Sequence, residues 1–553
     1  MIRLSKVIMD SHGAAFHFIL IVGRVIKIFR EEMNMERYFR CDKNTAIVDT
    51  KQGQLRGYVY DGVTIFKGIQ YATAKRFHAP VPVESWEGVK EATSYGYVCP
   101  LLEMEKPEGE VLVPHRYWAM NEDCLNLNVW TPACDGKKRP VMVWLHGGAY
   151  EFGSAIEQVA YEGENMCRLG QVVVVSVNHR LNILGYCDLS AFGEEYANSG
   201  NAGTDDLVAA LQWIHENIEN FGGDPDNVIL FGQSGGGGKI TTLLQTPAAD
   251  GLYAKGINMS GVVSMSLKDS TESGEELAIA LMAELGTEKI KDLETVSFDR
   301  LAEAYITVRK EYEEKGKVLK CTPHPNAFYA GTPEVNGFRK ETSQIPLLVG
   351  TVFGEFTSFA ATPYDKHSMT VEEEQAMIKE VLGEKAAEEL IPLFTEAYPE
   401  RHLIDLLNLD FLFRLPAQEY IRLRSGLNAS TYSYMFNLDL PIDGGRTPWH
   451  CADIPYVFHN TEMVPVTQEE GVTEKIEKQI FDTVMAFAYT GNPNHEGIPF
   501  WPASTPEEEH TLMIDKNTRV LCNYDRKLIP LFAKYMGPIF AKQMEKGDGQ
   551  IQH

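Results

Sequence analysis

Hydrophobic and polar positions change period several times along the chain, and each change marks an element. From Thr45 the runs TAIVDT (45–50), GQLRGYVY (53–60) and VTIFKGIQYA (63–72) are short, rich in β-branched and aromatic residues and separated by glycine-bearing turns. They predict three strands forming an antiparallel edge. Two later runs, Val141-Met142-Val143-Trp144-Leu145 and Val172-Val173-Val174-Val175, are apolar without interruption. Strands of that kind are covered on both faces, as in a parallel sheet flanked by helices. Leu207, Ala210, Leu211, Ile214 and Ile218 then recur at helical spacing, and Phe221-Gly222-Gly223 stops the helix. Asn227-Val228-Ile229-Leu230-Phe231 is the next strand, so the alternation is that of an α/β sheet.

Glu-rich helical segments near 275–315 and 370–398 interrupt the strands before IPLLVG (345–350) and TYSYMF (431–436) resume them. No Pro/Gly/Ser linker or repeat divides the chain, so residues 45–545 are read as one α/β domain with these helices as insertions or a cap. Residues 1–44 are read as an extension outside the fold, with Met33 and Met35 as alternative starts. Its stretch AAFHFILIV (14–22) mimics a secretory leader, yet His17 interrupts it, no small-x-small site follows, and Arg24, Lys27 and Arg30 come directly after. Nine residues are too few to span a bilayer; a helix lying on a membrane surface is the rival reading.

Composition narrows the partners. Of 553 residues, 44% are hydrophobic and 23% charged, ordinary for a soluble protein with a sizeable core. With 51 Lys and Arg against 77 Asp and Glu, the net charge of −26 repels nucleic acid and anionic lipid. Nine cysteines in so long a chain make no disulfide framework, which favours a reducing, cytoplasmic setting.

The chemistry concentrates in Phe231–Ile240, FGQSGGGGKI, which admits two readings. A phosphate loop needs glycine five residues before Gly238 and a hydroxyl after Lys239, but those positions hold Gln233 and Ile240. No register supplies the three glycines of a dinucleotide fingerprint either. Gly232-Gln233-Ser234-Gly235-Gly236 does fit a nucleophile elbow, a strand-to-helix turn that lifts a serine hydroxyl above the sheet. Such a serine needs a base, an acid that orients the base, and amide donors where the oxyanion forms. His146-Gly147-Gly148-Ala149-Tyr150, directly after the strand ending at Leu145, is the loop expected to supply them, with Gly148 and Ala149 donating alongside Gly235.

Several stretches together resemble the type-B carboxylesterases, the family of cholinesterases and bacterial para-nitrobenzyl esterases. They are FKGIQYA (66–72), NEDCLNLNVWTP (121–132), VMVWLHGGAY (141–150), NHRLNILGY (178–186), Gly200 to Gly236, NMSG (258–261), HCADIPYVF (450–458) and TGNPN (490–494) with Trp501-Pro502. The resemblance implies an α/β-hydrolase fold whose helical insertions cap an active-site gorge. It implies Glu355 as the acid, although Gly354 and Phe356 stand where the family has aspartate and glycine, and His450 as the base. His146 is the decoy histidine. The family elbow usually reads Gly-Glu-Ser-Ala-Gly followed by small residues; here Gln233 replaces the glutamate, Gly235 the alanine, and Lys239 a small polar residue. Because alanine is usual at 235, Gly235→Ala is expected to keep activity. By the same resemblance Arg76 pairs with Glu122, Ser260 helps hold the acid, and Cys99 and Cys124 match a pair bridged in secreted members. The segment between Cys99 and Cys124, rich in Glu103, Glu105, Glu108 and Glu110 and then Tyr117 and Trp118, is expected to border the gorge.

The expectation is therefore a serine hydrolase that cleaves small-molecule carboxylic esters through an acyl-enzyme, with Ser234, His450 and Glu355 as triad. A non-catalytic binding domain, or the same machinery acting on amides, carbamates or lactones, are the alternatives. No cofactor is called for and no metal site is supported: His-Glu-x-x-His is missing, and a calcium loop from Asp224 and Asp226 meets Ile229 where glycine is required. Preferred acyl and alcohol groups and oligomeric state stay open.

Overall fold

The computed structural model describes residues 38–103, 109–263, 273–359, 362 and 364–545. Twelve strands form its main sheet: β1 (Phe39–Arg40), β2 (Tyr58–Tyr60), β3 (Val63–Gln70), β4 (Asn126–Thr131), β5 (Arg139–Leu145), β6 (Val173–Val177), β7 (Gly223–Gln233), β8 (Lys255–Met259), β9 (Leu347–Val352), β10 (Thr431–Phe436), β11 (His510–Ile514) and β12 (Arg519–Cys522). Their spatial order is β1-β2-β3-β4-β6-β5-β7-β8-β9-β10-β11-β12. From β6 to β11 every neighbouring pair is parallel, while β1 to β4 and the last strand run antiparallel.

The continuous apolar runs are explained by where their side chains go. Val141, Val143 and Leu145 face one layer, shared with Leu207, Leu211 and Ile214 of helix α1 (Ala202–Asn217). Met142 and Trp144 face the other, shared with Ile476, Ile480 and Phe487 of a late helix, Thr473–Thr490. Both faces are buried, so alternation with polar residues is lost. A 3-10 turn, Ile218–Phe221, continues from α1, and Gly222 closes it with φ 80°, as the Phe-Gly-Gly stop requires.

Two expectations are corrected. The run GQLRGYVY is not one strand: Gln54–Arg56 joins a separate three-stranded sheet with Ile47–Asp49 and Val89–Glu91, whereas Tyr58–Tyr60 joins the main sheet. The break falls at Gly57, where an added Cβ would meet the Ile65 carbonyl and the Phe66 ring, so only glycine lets the backbone cross from one sheet to the other. The sheet also begins before residue 45, since Phe39–Arg40 pairs with Val59 and Tyr60. The leader-like stretch 14–22 lies outside the described residues.

The Glu-rich segments are helices: Gly274–Leu285 and Phe298–Glu314 pack on each other through Leu277, Leu281, Leu301 and Tyr305, and Val371–Leu382 and Glu384–Ala397 form a second pair. Among the described residues no helix is long and apolar enough to cross a membrane. All nine cysteines are free, including the buried Cys99 and Cys124.

Candidate active site

Strand β7 ends at Gln233 and helix α2 (Gly235–Leu244) begins two residues later, leaving Ser234 alone on the turn with φ 56° and ψ −124°. A serine in that region is strained, and the strain is held by the Ser234 N–H bonded to the Met259 carbonyl at 2.8 Å. Ala149, Ser260, Glu355 and Cys451 also have positive φ, so left-handed residues gather at the strand ends around this turn.

Three of the four glycines are a record of close approach. A Cβ on Gly235 would fall within 3.0 Å of the N, Cα and O of Ala149, one on Gly236 would strike the Leu145 carbonyl, and one on Gly237 would strike Asn258 and Gly261. Only Gly238 has ordinary room, with the Tyr150 hydroxyl 3.5 Å away. The geometry runs against the expectation that Gly235→Ala is tolerated: here the loop backbone itself occupies the space that alanine would take. The same approach brings the Ala149 N beside the start of α2. The first hydrogen bond of that helix runs from the Gly238 N–H to the Ser234 carbonyl, so the Gly235 N–H precedes the helical ladder. Gly148 and Ala149 have φ of 76° and 51°, and among the described residues neither N–H is a hydrogen-bond donor.

Two loops join Glu355 to His450. Gly354 N–H donates to the Pro448 carbonyl at 3.1 Å, and His450 N–H to the Glu355 carbonyl at 3.0 Å. Gly354 replaces the family aspartate because a Cβ would collide with Ser358 and the Pro448 carbonyl. Across this seam a short hydrogen bond links His450 Nδ1 to Glu355 Oε2. Glu355 is fully buried, and its Oε1 accepts from Ser260 Oγ at 2.6 Å and from the Val352 N–H at 2.8 Å. Burial raises the Glu355 carboxyl, and those two donors oppose the rise. Burial also drives the His450 imidazole down to about 4, against the pull of Asp453 and Asp410, which keeps it neutral at ordinary pH. The Phe356 and Phe413 rings lie 4.5 Å and 4.9 Å from the imidazole centre, so the unusual Phe356 helps fix the ring from the side.

His450 Nε2 does not meet Ser234 directly: among the described hydrogen bonds its partner is Gln233 Nε2 at 3.0 Å. Cys451 Sγ donates to Gln233 Oε1 at 3.2 Å, which turns the amide nitrogen toward the imidazole. With Nδ1–H given to Glu355, Nε2 carries the lone pair and faces the residue beside the serine.

Other expectations have clear outcomes. Arg76 pairs with Glu122, Nε to Oε2 at 2.9 Å, and also holds the Leu293 and Val296 carbonyls. Leu112, Val113 and Pro114 line a small cavity with Trp449 and Cys451, the residues on either side of His450, while Glu105 and Glu108 lie outside the described residues. His146 is buried, with Nδ1 at 3.0 Å from the Gly147 carbonyl, and stacks on His179 away from Glu355. Sequence reasoning missed the Gln233 contact, the buried Asp410 and Asp453, and the burial of Lys239; a histidine-adjacent acid such as Asp453 gives no periodic signal. Among the described residues no group of three or more His, Cys, Asp or Glu is placed to hold a metal ion.

A mostly parallel sheet, covered on both faces and carrying a strained serine at a strand-to-helix elbow next to a buried His–Glu pair, defines a serine hydrolase of the α/β-hydrolase fold. Residues 44–529 match the Carboxylesterase family. The chain is 35% identical over 491 residues to the para-nitrobenzyl esterase of Bacillus subtilis (strain 168), covering 86% of this chain and 96% of that one, and 30% identical over 556 residues to the liver carboxylesterase of Sus scrofa, covering 92% and 95%. A solved structure described as "An esterase from anaerobic Clostridium hathewayi can hydrolyze aliphatic aromatic polyesters" superposes with a TM-score of 0.88 at 50% identity, covering 90% of this chain and 100% of that one. This chain belongs to the carboxylesterase family, and it is a carboxylic ester hydrolase.

Proposed function

We propose that Ser234 is the nucleophile, His450 its general base, Glu355 the acid that orients the base, and Gly148, Ala149 and Gly235 the oxyanion donors. One observation carries the reading: the imidazole of the buried Glu355–His450 pair turns its free lone pair toward Gln233, the residue preceding the strained serine. Exchange of the Gln233 amide for Ser234 Oγ at Nε2 sets up the reaction. His450 takes the hydroxyl proton as Oγ attacks the ester carbonyl carbon, and the former C=O electron pair settles on an oxyanion facing the three amides. Collapse expels the alcohol, which leaves with the proton from His450, and water attacks the acyl-enzyme by the same steps to release the acid. Glu355 stabilises the imidazolium that forms twice in each cycle.

For substrate, the reading is an ester joining an aromatic acid to an aliphatic alcohol, as in short pieces of aliphatic–aromatic polyester. The 50% identity to an esterase described by that activity supports it. One α/β domain that takes in the edge strand at Phe39–Arg40, working in the cytoplasm with its thiols reduced, completes the proposal. Nitrophenyl ester turnover with a burst of alcohol in the wild type and none in Ser234→Ala is the expected result, alongside release of aromatic acid from a polyester oligomer. Undiminished turnover in Ser234→Ala overturns the assignment; turnover of nitrophenyl ester without oligomer cleavage overturns the substrate alone.

A further inference from the structure

Lys239 is the residue that the elbow pattern leaves unexplained. It sits on α2 five residues after Ser234, is 1% exposed, and has no carboxylate within ion-pair distance among the described residues. An unpaired ammonium inside a protein costs several kcal/mol, so its retention calls for a reason. Among the described residues its Nζ donates to two main-chain oxygens, the His146 carbonyl at 2.9 Å and the Gly147 carbonyl at 3.3 Å. The Gly147 carbonyl is met again, at 3.0 Å, by the Nδ1 of His146. This peptide lies against the elbow, since a Cβ on Gly147 would come 3.6 Å from the Ser234 Cβ.

A trans peptide is planar and its C=O and N–H point in opposite directions. Holding the Gly147 oxygen on one side therefore aims the Gly148 N–H at the other. A cation on the oxygen also draws electron density out of the amide and strengthens its N–H as a donor. We propose that Lys239 is a positioning residue of the oxyanion hole, an internal ammonium that grips the back of the 146–148 loop and both aims and polarises the Gly148 N–H. The inference rests on the assignment of Gly148 as an oxyanion donor. Burial lowers the Lys239 ammonium to about 7, with the Glu157 carboxylate opposing, so the ammonium is complete below neutral pH, half present near pH 7 and lost as the pH rises further. The neighbouring rings of His146 and His179 are both pushed well below the ordinary histidine value by burial and by the lysine itself, so they add no positive charge there.

Lys239→Met keeps length and removes the donor; Lys239→Gln returns a neutral donor and serves if the methionine variant does not accumulate. Competent sites are counted with a phosphonate titrant, so that kcat is read per folded enzyme. The expected result for Lys239→Met is a fall in kcat of about 10- to 100-fold with KM within about threefold, and a parallel weakening of a trifluoromethyl ketone whose adduct carries the oxyanion. Lys239→Gln is expected between methionine and wild type. The melting temperature should not fall in Lys239→Met, since an apolar side chain replaces a buried charge. Wild-type kcat and ketone affinity in both variants, or a loss of kcat explained by fewer titratable sites, overturns the proposal. A wild-type enzyme that does not prefer the ketone to its non-fluorinated counterpart overturns instead the underlying assignment of the donors.

Discussion

Glycine at position 235 sets this chain apart from the pattern of its family, in which alanine follows the nucleophile. Here the added Cβ would lie within 3.0 Å of three backbone atoms of Ala149, whereas ordinary van der Waals contact begins at 3.4 Å. No flexible side chain can swing away, so the 146–149 loop must retreat by about 1 Å, and a shift of that size at positioned groups costs about 10²-fold in rate. Overpacking adds a stability loss of about 1–3 kcal/mol. Gly238→Ala is the matched control on the same helix: its nearest neighbour is the Tyr150 hydroxyl at 3.5 Å, an ordinary contact. It should gain about 1 kcal/mol of helix propensity and leave turnover within about twofold. The assay is kcat on a nitrophenyl ester normalised to titrated sites, with thermal melting alongside. Gly235→Ala at wild-type kcat and melting temperature would refute the reasoning, because it would mean that the loop yields freely to one methyl group.

The remaining predictions concern charge. Since burial lowers His450 from 6.5 to about 4, the base stays neutral as pH falls through 6.5, and the acid limb of kcat/KM should lie below pH 6; a midpoint at 6.5 would contradict this. Gln233→Glu places a carboxylate where an amide now sits 3.0 Å from Nε2, favouring the imidazolium and moving that limb upward by about 1–3 pH units; an unmoved limb would place Gln233 away from the base. Glu355→Gln should cut kcat by about 10⁴-fold while circular dichroism stays that of the folded protein, because Ser260 and Val352 hold the amide oxygen and leave the amide NH2 facing Nδ1, which forces the wrong tautomer and removes the charge; a loss under tenfold would remove Glu355 from the site. Away from the chemistry, Arg180 binds both Asp206 oxygens, Nε at 2.8 Å and Nη2 at 2.6 Å, with both side chains buried. Arg180→Met strands the carboxylate and should cost about 3–5 kcal/mol in denaturant unfolding; near-neutral stability would show that solvent reaches Asp206.

What was legible in the sequence followed from local rules. The strand before the elbow, the helix from Leu207 to Ile218 and the buried runs at 141–145 and 172–175 each carry their period in consecutive residues. Ser234 could be singled out because glycines flank it on a strand-to-helix turn, and Glu355 and His450 because motif order points to them. What stayed hidden depends on partners far along the chain. Gly57 ends a strand because Ile65 and Phe66 crowd it, Gly235 is obligatory because Ala149 lies against it, and Lys239 is interior because two carbonyls 92 and 93 residues away accept its protons. A Lys at helical spacing reads as a solvated face until those partners are known.

Four of the positions that depart from the family pattern fall into two spatial sets, and this makes their effects coupled. Gly235 and Lys239 both act on the 146–149 loop, one by admitting its backbone and the other by holding its carbonyls. Gly354 and Phe356 both act on the 448–450 loop, one by admitting the Pro448 carbonyl and the other by flanking the His450 ring. Residues that share a partner interact by about 0.5–3 kcal/mol beyond the sum of their single effects, whereas distant ones add. A double-mutant cycle on Gly235→Ala with Lys239→Met should therefore be non-additive in kcat, because a loop already displaced by the methyl group has lost the geometry that the ammonium maintains. Gly235→Ala combined with Phe356→Gly should be close to additive. Additivity in the first pair would mean that the loop is held by neither residue, and that its position is set by its own left-handed Gly148 and Ala149 alone.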